Sequence, residues 1–257
     1  CDRNFEVYQT MGNRDYSGIE FCIKQLNPEL IVVIGGDGTL NDVVNALPSF
    51  DIPLHIIPAG SGNDFHQLTS HRSLNSNSDL SKELVYSDIW SCNGMLFHNG
   101  VGLGFDGSIA HQTQYSKIKW LPLGLKYWFA IFRNIFTYRS KKCVIKSEDG
   151  SYDGLSFMIS VANGTQYGGG FKVAPDAQRD DGLLDVVIIH KIHPLKRLVY
   201  VPKVEKGEHM NLDIVQHFRT NNLSIEYTEE IPVHLDGEVI SASRFEFKHL
   251  GQLSILP

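Results

Sequence analysis

The feature that most constrains this chain is a short aliphatic run followed at once by a glycine-rich turn. Residues 30–34 are all aliphatic, and Gly35-Gly36-Asp37-Gly38-Thr39 follows before a helical pattern through Val43 and Leu47. Such runs are typical of parallel strands that are covered on both faces. A strand, a glycine turn and a helix in this order predict an α/β unit early in the chain.

The same turn predicts an anion site. Gly35, Gly36 and Gly38 let backbone N–H groups approach a ligand without obstruction by a Cβ atom, and a helix N-terminus adds partial positive charge. Asp37 would repel a polyphosphate unless a cation lay between them, so it indicates Mg²⁺ bound together with a nucleotide. The alternative is a tight turn that needs glycine only for its backbone angles.

A second glycine loop, residues 58–65, follows the next predicted strand. It contains Gly60-Ser61-Gly62, and adjacent parallel strands place such loops side by side across a ligand crevice. We therefore expect Ser61 to donate to a phosphate oxygen opposite the first turn. Asn63 or Asp64 is expected to cap the following turn, and for Asp64 alone capping and catalysis are both open.

Residues 1–87 are predicted to form an α/β nucleotide-binding domain with a parallel sheet. Its predicted elements are extended segments at 5–10, 30–34 and 54–57 and helices at 17–26 and 40–46. The Ser- and Asn-rich stretch 69–81 predicts a loop or linker. The polar start lacks the pattern of a signal peptide, and we expect an N-terminal strand to be missing before residue 5.

Residues 88–257 are predicted to form a mostly antiparallel β-sandwich or barrel as the second domain. Asn93-Gly94 lies between two apolar runs and predicts a hairpin that joins strands at 85–92 and 95–101. Further short strands are predicted at 142–146, 155–161, 184–189, 212–217, 223–227, 231–235, 245–249 and 253–256.

One segment of this half, residues 115–138, has helical length and is rich in aromatic and basic side chains. No Asp or Glu occurs from Gly107 to Ser147, although the whole chain has a net charge of -6. Such a stretch can lie at an anionic membrane surface. The favoured interpretation is that it packs its aromatic face on the β domain and keeps its basic residues in water, and both can hold at once. Lys126 and Arg133 argue against a transmembrane segment.

Composition excludes several classes of protein. The net negative charge argues against a general nucleic-acid binder, which needs excess Lys and Arg. The four cysteines are scattered, which favours a reducing cytoplasm over a disulfide framework or a zinc site. Gly102-Leu103-Gly104-Phe105-Asp106-Gly107 matches a dinucleotide fingerprint in spacing, but the acidic residue expected about 20 positions later is absent. We predict close backbone packing for these glycines.

Two acidic turns stand out in the β half. They are Arg179-Asp180-Asp181-Gly182-Leu183 and Leu235-Asp236-Gly237-Glu238. Either turn alone reads as a hairpin, because Asp-Gly is favoured there. Together with the glycine loops they become candidates for a metal site and a general base.

In four motifs taken in order, the chain resembles the diacylglycerol kinase catalytic family, which includes bacterial lipid kinases and sphingosine and ceramide kinases. The motifs are Gly-Gly-Asp-Gly-Thr-Leu-Asn at 35–41, Pro-Ala-Gly-Ser-Gly-Asn-Asp-Phe at 58–65, Asp-Gly-Leu-Leu-Asp at 181–185 and Asp-Gly-Glu at 236–238. The resemblance implies an α/β nucleotide domain, a β-sandwich substrate domain and an active site in the cleft between them.

The resemblance also implies roles for individual residues. ATP contacts are implied for Thr10, Gly35, Gly36, Asp37, Gly38, Thr39, Leu40, Asn41 and Ser61. Asp37, Asp64 and Asp88 resemble the acidic network that organises Mg²⁺ and its waters. Asp181, with the backbone carbonyls of Gln178 and Leu183, resembles a structural Mg²⁺ site. One carboxylate of Asp236-Gly237-Glu238 would accept the proton of the lipid hydroxyl, and Glu238 is favoured over Asp236.

The function implied is an ATP- and Mg²⁺-dependent lipid kinase, with diacylglycerol as the expected acceptor and phosphatidic acid as the product. The alternatives are a kinase of another alcohol (a sphingoid base, phosphatidylglycerol or NAD) and a non-catalytic nucleotide- or lipid-binding regulator. We expect a cytoplasmic protein that associates peripherally with the membrane carrying its lipid substrate. A homodimer is possible, and no nucleic-acid partner or transmembrane segment is expected.

Overall fold

The computed structural model describes residues 5–11, 14–60, 62–66, 84–116 and 123–257. The helices are α1 (Tyr16–Leu26), α2 (Asp37–Ala46), α3 (Phe105–Gln114), α4 (Leu123–Thr137) and α5 (Pro194–Lys206). The strands are β1 (Ile31–Gly35), β2 (Leu54–Pro58), β3 (Val85–Cys92), β4 (Met95–Phe97), β5 (Gly100–Gly104), β6 (Lys141–Lys146), β7 (Ser151–Ala162), β8 (Leu184–His190), β9 (Val215–Thr220), β10 (Leu223–Leu235) and β11 (Glu238–Leu256).

A mixed sheet connects the two parts of the molecule. Its main path runs β1-β2-β11-β10-β5-β7-β8-β9, with β3 and β6 branching from it. β1 pairs with β2 in parallel, and the end of β11 pairs with β2 in parallel. The other pairings, including β10 with β11 and β3 with β11, are antiparallel. The 19-residue strand β11 therefore belongs to both parts and ties them together.

The buried apolar side chains form three clusters. The first joins α1, α2, β1 and β2 to Ile89, Leu253 and Ile255 from the later strands. The second fills the interior of the antiparallel strands around Trp90, Val101 and Phe245. The third lies where α3, α4 and α5 cover β7 and β8. Because strands from the second half complete the first cluster, the glycine turns are held rigidly against the β strands.

The predicted hairpin at Asn93-Gly94 is confirmed. Asn93 and Gly94 both have positive φ, 51° and 87°, and Cys92 pairs with Met95 across the turn. Two successive positive φ values define a type I′ turn, whose twist matches that of the flanking strands. The side chain of Asn93 also accepts from Glu246 N and donates to Arg244 O.

Several other elements differ from the prediction. The described residues 5–11 do not form a strand. Their side chains are mostly exposed, and their backbone does not pair with a strand of the described sheet. The predicted strand 95–101 is two strands, β4 and β5. Conversely, 223–227 with 231–235 form the single strand β10, and 245–249 with 253–256 belong to β11. Register shifts between Glu226 and Ile231 and between His249 and Gly251 absorb the irregular residues.

Two helices were not predicted, α3 and α5. Helix α3 begins within the glycine-rich stretch 102–107, and α5 begins with Pro194 and contains Pro202. Glycine and proline are poor helix formers in the interior, although proline suits a first turn. The predicted domain boundary between 87 and 88 falls inside β3 and stays a prediction. The predicted linker 69–81 lies outside the described residues.

The glycines of residues 102–107 pack as predicted. A Cβ atom on Gly102 would overlap the side chains of Asp106 and His234, and one on Gly107 would overlap the backbone at Pro232. Among the described residues, no helix is both long enough and apolar enough to cross a membrane.

Candidate active site

The first glycine turn connects the end of β1 to the start of α2. Gly36 is the N-cap residue with extended backbone, φ −101° and ψ −169°, and Leu40 N donates to Gly36 O at 3.1 Å. The N–H groups in the first turn of a helix have no partner within the helix. A Cβ atom on Gly38 would meet nothing within 4 Å, so an anion can approach these N–H groups from the open side.

The second glycine loop lies directly beside the first, as predicted. Ala59 N donates to Gly35 O at 2.8 Å, and a Cβ atom on Gly36 would lie 2.9 Å from the Cα of Gly60. Asn63, at φ 54°, closes the loop: its side chain accepts from Gly60 N at 3.0 Å and donates to Gly60 O at 2.8 Å. Ser61 lies outside the described residues, and its phosphate contact stays a prediction.

The carboxylates of Asp37 and Asp64 lie near each other at this crevice. Asp37 accepts from the backbone N–H of Asp64 and of Phe65, both at 3.2 Å, so it caps the turn that follows the second loop. Asp64 accepts from Gly169 N at 2.9 Å and from Gln166 Nε2 at 3.2 Å. Burial raises the pKa of the Asp64 carboxyl, and the Asp37 charge adds to the rise.

A divalent cation would relieve this repulsion. Mg²⁺ prefers carboxylate oxygens, and the pair beside free helix N–H groups fits a cation that accompanies a nucleotide phosphate. The other described residues that were predicted to contact ATP are buried or half-buried. The side chains of Leu40 and Asn41 are buried within α2, while Thr10 is half-buried and Thr39 packs over Gly35.

The hairpin between β10 and β11 carries Asp236 at its turn. Asp236 and Gly237 have φ 46° and 92°, and Leu235 pairs with Glu238 across them, which is a two-residue type I′ turn. The buried Asp236 carboxylate accepts from the backbone N–H of His98, Asn99 and Gly100, at 2.8, 3.1 and 2.8 Å. His98 Nδ1 lies 3.0 Å from Asp236 Oδ2.

These donors determine the protonation state of Asp236. Burial alone would raise the pKa of the carboxyl, but the charge and hydrogen bonds of His98, together with the N–H of Gly100, outweigh it and hold the pKa below its usual range. The carboxylate is therefore charged and already surrounded by donors, so it anchors the hairpin.

Glu238, two residues later, is also buried, and it pairs with the more exposed side chain of Arg14. Arg14 Nε and Nη2 lie 3.2 and 3.1 Å from Glu238 Oε2, and the Glu238 side chain is 11% exposed. The backbone N–H of Arg14 donates to Asp42 Oδ1 at 3.0 Å. Asp42 lies on α2, about 7 Å along the helix axis from Asp37. Burial raises the pKa of Asp42, and the nearby Glu238 charge adds to the rise.

The loop 178–183 is held by Asp88. Asp88 Oδ2 accepts from Gly182 N at 2.7 Å, and Oδ1 accepts from Gln252 Nε2 and lies 3.0 Å from His249 Nε2. Asp181 pairs with Arg219 and accepts from Leu183 N at 3.0 Å. A cation bound by Asp181 with the carbonyls of Gln178 and Leu183 would share the carboxylate with Arg219. Within the described ranges, no group of three His, Cys, Asp or Glu side chains is placed to hold a metal.

Sequence reasoning missed four contributors to the site: Arg14, Asp42, His98 and the segment 166–170. Arg14 has φ 65°, a conformation uncommon for arginine, and no local pattern indicates its partner. The run Gly168-Gly169-Gly170 was the available signal for the last of these. All three glycines have positive φ, and Gly169 supplies the N–H that Asp64 accepts.

Comparison with known families gives a match in both parts of the chain. Residues 2–84 match the diacylglycerol kinase catalytic domain, and residues 99–253 match the YegS C-terminal NAD kinase beta sandwich-like domain. The chain belongs to the diacylglycerol kinase family. This confirms the resemblance drawn from the four motifs.

Individual members of the family are similar along most of the chain. The Escherichia coli protein named "Probable lipid kinase YegS" is 30% identical over 88% of this chain and 77% of its own length. The Bacillus subtilis diacylglycerol kinase is 27% identical over 93% and 80%. A crystal structure of a diacylglycerol kinase from Bacillus anthracis superposes with a TM-score of 0.66 at 22% identity, covering 94% of this chain and 81% of that one, and so shows the same fold.

Proposed function

We propose that this protein is an ATP- and Mg²⁺-dependent lipid kinase that transfers the γ-phosphoryl group of ATP to the hydroxyl group of diacylglycerol, forming phosphatidic acid. The family and its members' names support a lipid kinase, and the names of two relatives support diacylglycerol as the acceptor.

The observation that carries the proposal is the bridge made by Arg14. Its side chain reaches Glu238 on the acidic hairpin, and its backbone N–H reaches Asp42 on the helix that starts at the glycine turn. Glu238 is therefore linked through Arg14 to the helix that begins at the phosphate-binding turn, which supports a shared site. Phosphoryl transfer needs this proximity, because it depends chiefly on positioning and on charge neutralisation.

Each group has a task in this scheme. The first N–H groups of α2 hold phosphate oxygens, and Asp37 and Asp64 are the residues that would hold Mg²⁺. Bound Mg²⁺ would neutralise the charge that develops on the phosphoryl oxygens. Glu238 would accept the proton of the lipid hydroxyl while the hydroxyl oxygen bonds to the γ-phosphorus and the bond between that phosphorus and the leaving ADP breaks. Asp236 keeps the hairpin in place and is a positioning residue.

The test is an acceptor screen with labelled ATP and Mg²⁺ in mixed micelles. We expect transfer to diacylglycerol, and little or none to ceramide, sphingosine, phosphatidylglycerol or NAD. Preferential transfer to another acceptor would overturn the assignment of diacylglycerol, and tight ATP binding without any transfer would overturn the kinase proposal.

Two variants of the glycine turn sharpen this test. Asp37→Asn keeps an oxygen to cap the turn at Asp64 and should lower kcat about 10³-fold or more with little change in Tm. Gly38→Ala adds a methyl group where the structure has open space, so it should raise the KM for ATP without harming the fold. Full turnover by Asp37→Asn would reject its Mg²⁺ role.

A further inference from the structure

The surface of α4 that faces away from the protein is strongly apolar. Its exposed side chains are Leu125, Trp128, Phe129, Phe132 and Phe136. The opposite side of the helix, with Ala130, Ile131 and Ile135, is buried against the β strands. The aromatic side chains predicted for a helix in this region therefore do not simply pack inward: one set fills the core, and a second set faces out.

Helix α5 lies beside α4 and adds to this apolar surface. The buried Arg197 of α5 donates to the carbonyls of Ile135 and Tyr138 at 2.9 Å each, which fastens the two helices together. The exposed residues Leu195, Leu198 and Val199 also belong to α5. Large exposed apolar surfaces on folded domains mark sites of contact with a partner or a membrane. We name the exposed residues of α4 and α5 the aromatic face.

We infer that the aromatic face is the surface by which this protein docks on an anionic lipid bilayer. It deepens the proposed function, on which it rests for its biological purpose. Amphipathic helices with aromatic and aliphatic residues on one side bury that side in the boundary between headgroups and acyl chains. Because the other side of α4 is packed on the β strands, the helix would lie along the membrane surface.

Charge complementarity favours an anionic bilayer as the occupant. Residues 107–147 contain no Asp or Glu, and Lys126 and Arg133 lie on α4 itself. Arg139 follows at its C-terminal end; Arg133 and Arg139 are exposed, and Lys126 is half-buried. Each Lys or Arg near an anionic membrane strengthens the attraction to it. This basic surface lies in a chain whose net charge is -6.

The same charges disfavour a second copy of the chain as the occupant. A symmetric dimer places identical patches against each other. Contact through the aromatic face would therefore bring Lys126 and Arg133 of one copy towards those of the other, in a region with no nearby acidic residue in the sequence.

The aromatic face is also connected directly to the candidate active site. Phe171 lies next to both Tyr127 and Trp128 of α4, with ring centroids 6.1 and 6.5 Å apart. Two residues earlier, Gly169 donates its N–H to Asp64. A bilayer against α4 would therefore lie close to the segment that contacts Asp64. A lipid acceptor has to be presented to the phosphates at this part of the molecule.

The experiment measures binding of the full chain to sedimented vesicles without ATP. We expect strong binding to vesicles that contain phosphatidylglycerol and weak binding to pure phosphatidylcholine. Phe132→Glu, at a side chain that is 62% exposed, should weaken binding about tenfold or more. Phe21→Glu is the matched control, because Phe21 is 66% exposed on α1, outside the aromatic face. This variant should bind as the parent protein does.

Charge is tested with a second matched pair. Arg133→Gln should weaken binding to the anionic vesicles about fivefold and leave binding to phosphatidylcholine unchanged. Lys248→Gln, on the exposed surface of β11, should change neither. In the unaltered protein, lipids with brominated chains should quench Trp128 fluorescence, and the quenching should be lost in Trp128→Phe. This measurement introduces no charged side chain into the aromatic face.

Activity on a short-chain, water-soluble diacylglycerol separates this inference from the proposed function. Phe132→Glu should keep full turnover on that acceptor and lose it on vesicle-bound diacylglycerol. Vesicle binding that depends on Phe132 in a protein without kinase activity would support docking and refute the kinase. Vesicle binding by Phe132→Glu equal to that of the parent, or a dimer that this substitution dissociates with no effect on vesicle binding, would overturn the inference.

Discussion

Two buried carboxylates in different parts of the molecule have opposite electrostatic surroundings. Asp236, at the turn of the β10–β11 hairpin, accepts from three consecutive backbone N–H groups and lies beside His98, and its pKa is lowered. Asp64, at the second glycine loop, accepts from Gly169 and Gln166 but lies near Asp37, and its pKa is raised. For the first carboxylate the donors outweigh the effect of burial on the pKa, and for the second they do not.

The difference suggests how a structural carboxylate can be distinguished from one that is able to bind a cation. A buried carboxylate with two donors on each oxygen, such as Asp236, has no lone pair left for a ligand, and its charge stabilises the folded state. A carboxylate that is left next to another negative charge destabilises the folded state until a cation or a proton arrives. In the family motif Asp236-Gly237-Glu238, Asp236 is anchored by backbone donors, whereas Glu238 pairs with the half-exposed side chain of Arg14.

The largest effect that tests this contrast is expected for Asp236→Asn. Asparagine tolerates the positive φ of the turn, so the change removes mainly the charge and presents an NH₂ group to backbone donors. We expect a loss of about 3 kcal/mol in the free energy of unfolding, measured by urea denaturation at neutral pH.

The pH dependence gives the sign of this contribution. Because the folded pKa of Asp236 is lowered, its contribution is fully present above the unfolded value of about 3.9 and is lost as pH falls through the folded value. The parent and the variant should therefore converge in stability below about pH 4. Asp149→Asn, at an exposed carboxylate, is the control. Equal stability of Asp236→Asn and the parent at neutral pH would remove the distinction between the two carboxylates.

The next effect concerns Glu238, the member of the motif that pairs with Arg14. Glu238→Gln should lower kcat about 100-fold and leave the KM for ATP nearly unchanged, because the base acts on the acceptor hydroxyl. Steady-state kinetics with diacylglycerol micelles measure both constants. The matched control is Glu246→Gln on the same strand, where Glu246 pairs with Arg244 at 2.9 Å. An unchanged kcat would move the general base to another group, with Asp37 the first candidate.

The predictable parts of this fold are those determined by local chemistry. Asn93-Gly94 and Asp236-Gly237 are type I′ turns because asparagine, aspartate and glycine accept positive φ, and the turn 35–39 needs glycine to approach Gly60. The long strands were less predictable. Glu229 and Glu230 interrupt the apolar pattern of β10, so one strand with a register shift was predicted as two.

The candidate site also has a part that local sequence predicts and a part that it does not. The sequence predicted roles for Asp37, Asp64, Asp236 and Glu238, because glycine turns and paired carboxylates are visible in a motif. It could not identify their partners. Arg14 lies 224 positions from Glu238, and Gly169 lies 105 positions from Asp64. Contacts this distant in sequence depend on how β11 joins the two parts of the sheet, which no local pattern specifies.

The smallest effect, with the opposite sign, is expected for Asp64→Asn. The change removes a negative charge beside Asp37 and keeps an oxygen that can accept from Gly169, so we expect a gain on the order of 1 kcal/mol in unfolding free energy without Mg²⁺. Because the folded pKa of Asp64 is raised, the charge has no cost below the unfolded value of about 3.9, and the cost is complete above the folded value. The advantage of the variant should therefore grow as pH rises from about 4 towards neutrality and then level off.

Millimolar Mg²⁺ with ATP should reverse the order of the two proteins. Ligands that bind only the folded state stabilise it, and the parent has the carboxylate pair that would hold the cation, so its Tm should rise more than that of Asp64→Asn. The control is Asp176→Asn, at an exposed carboxylate, which should follow the parent at every pH and Mg²⁺ concentration. If Asp64→Asn were less stable than the parent without Mg²⁺, Asp64 would be an anchor of the same kind as Asp236, because the loss of the donor partner Gln166 would then outweigh the relief of its repulsion with Asp37.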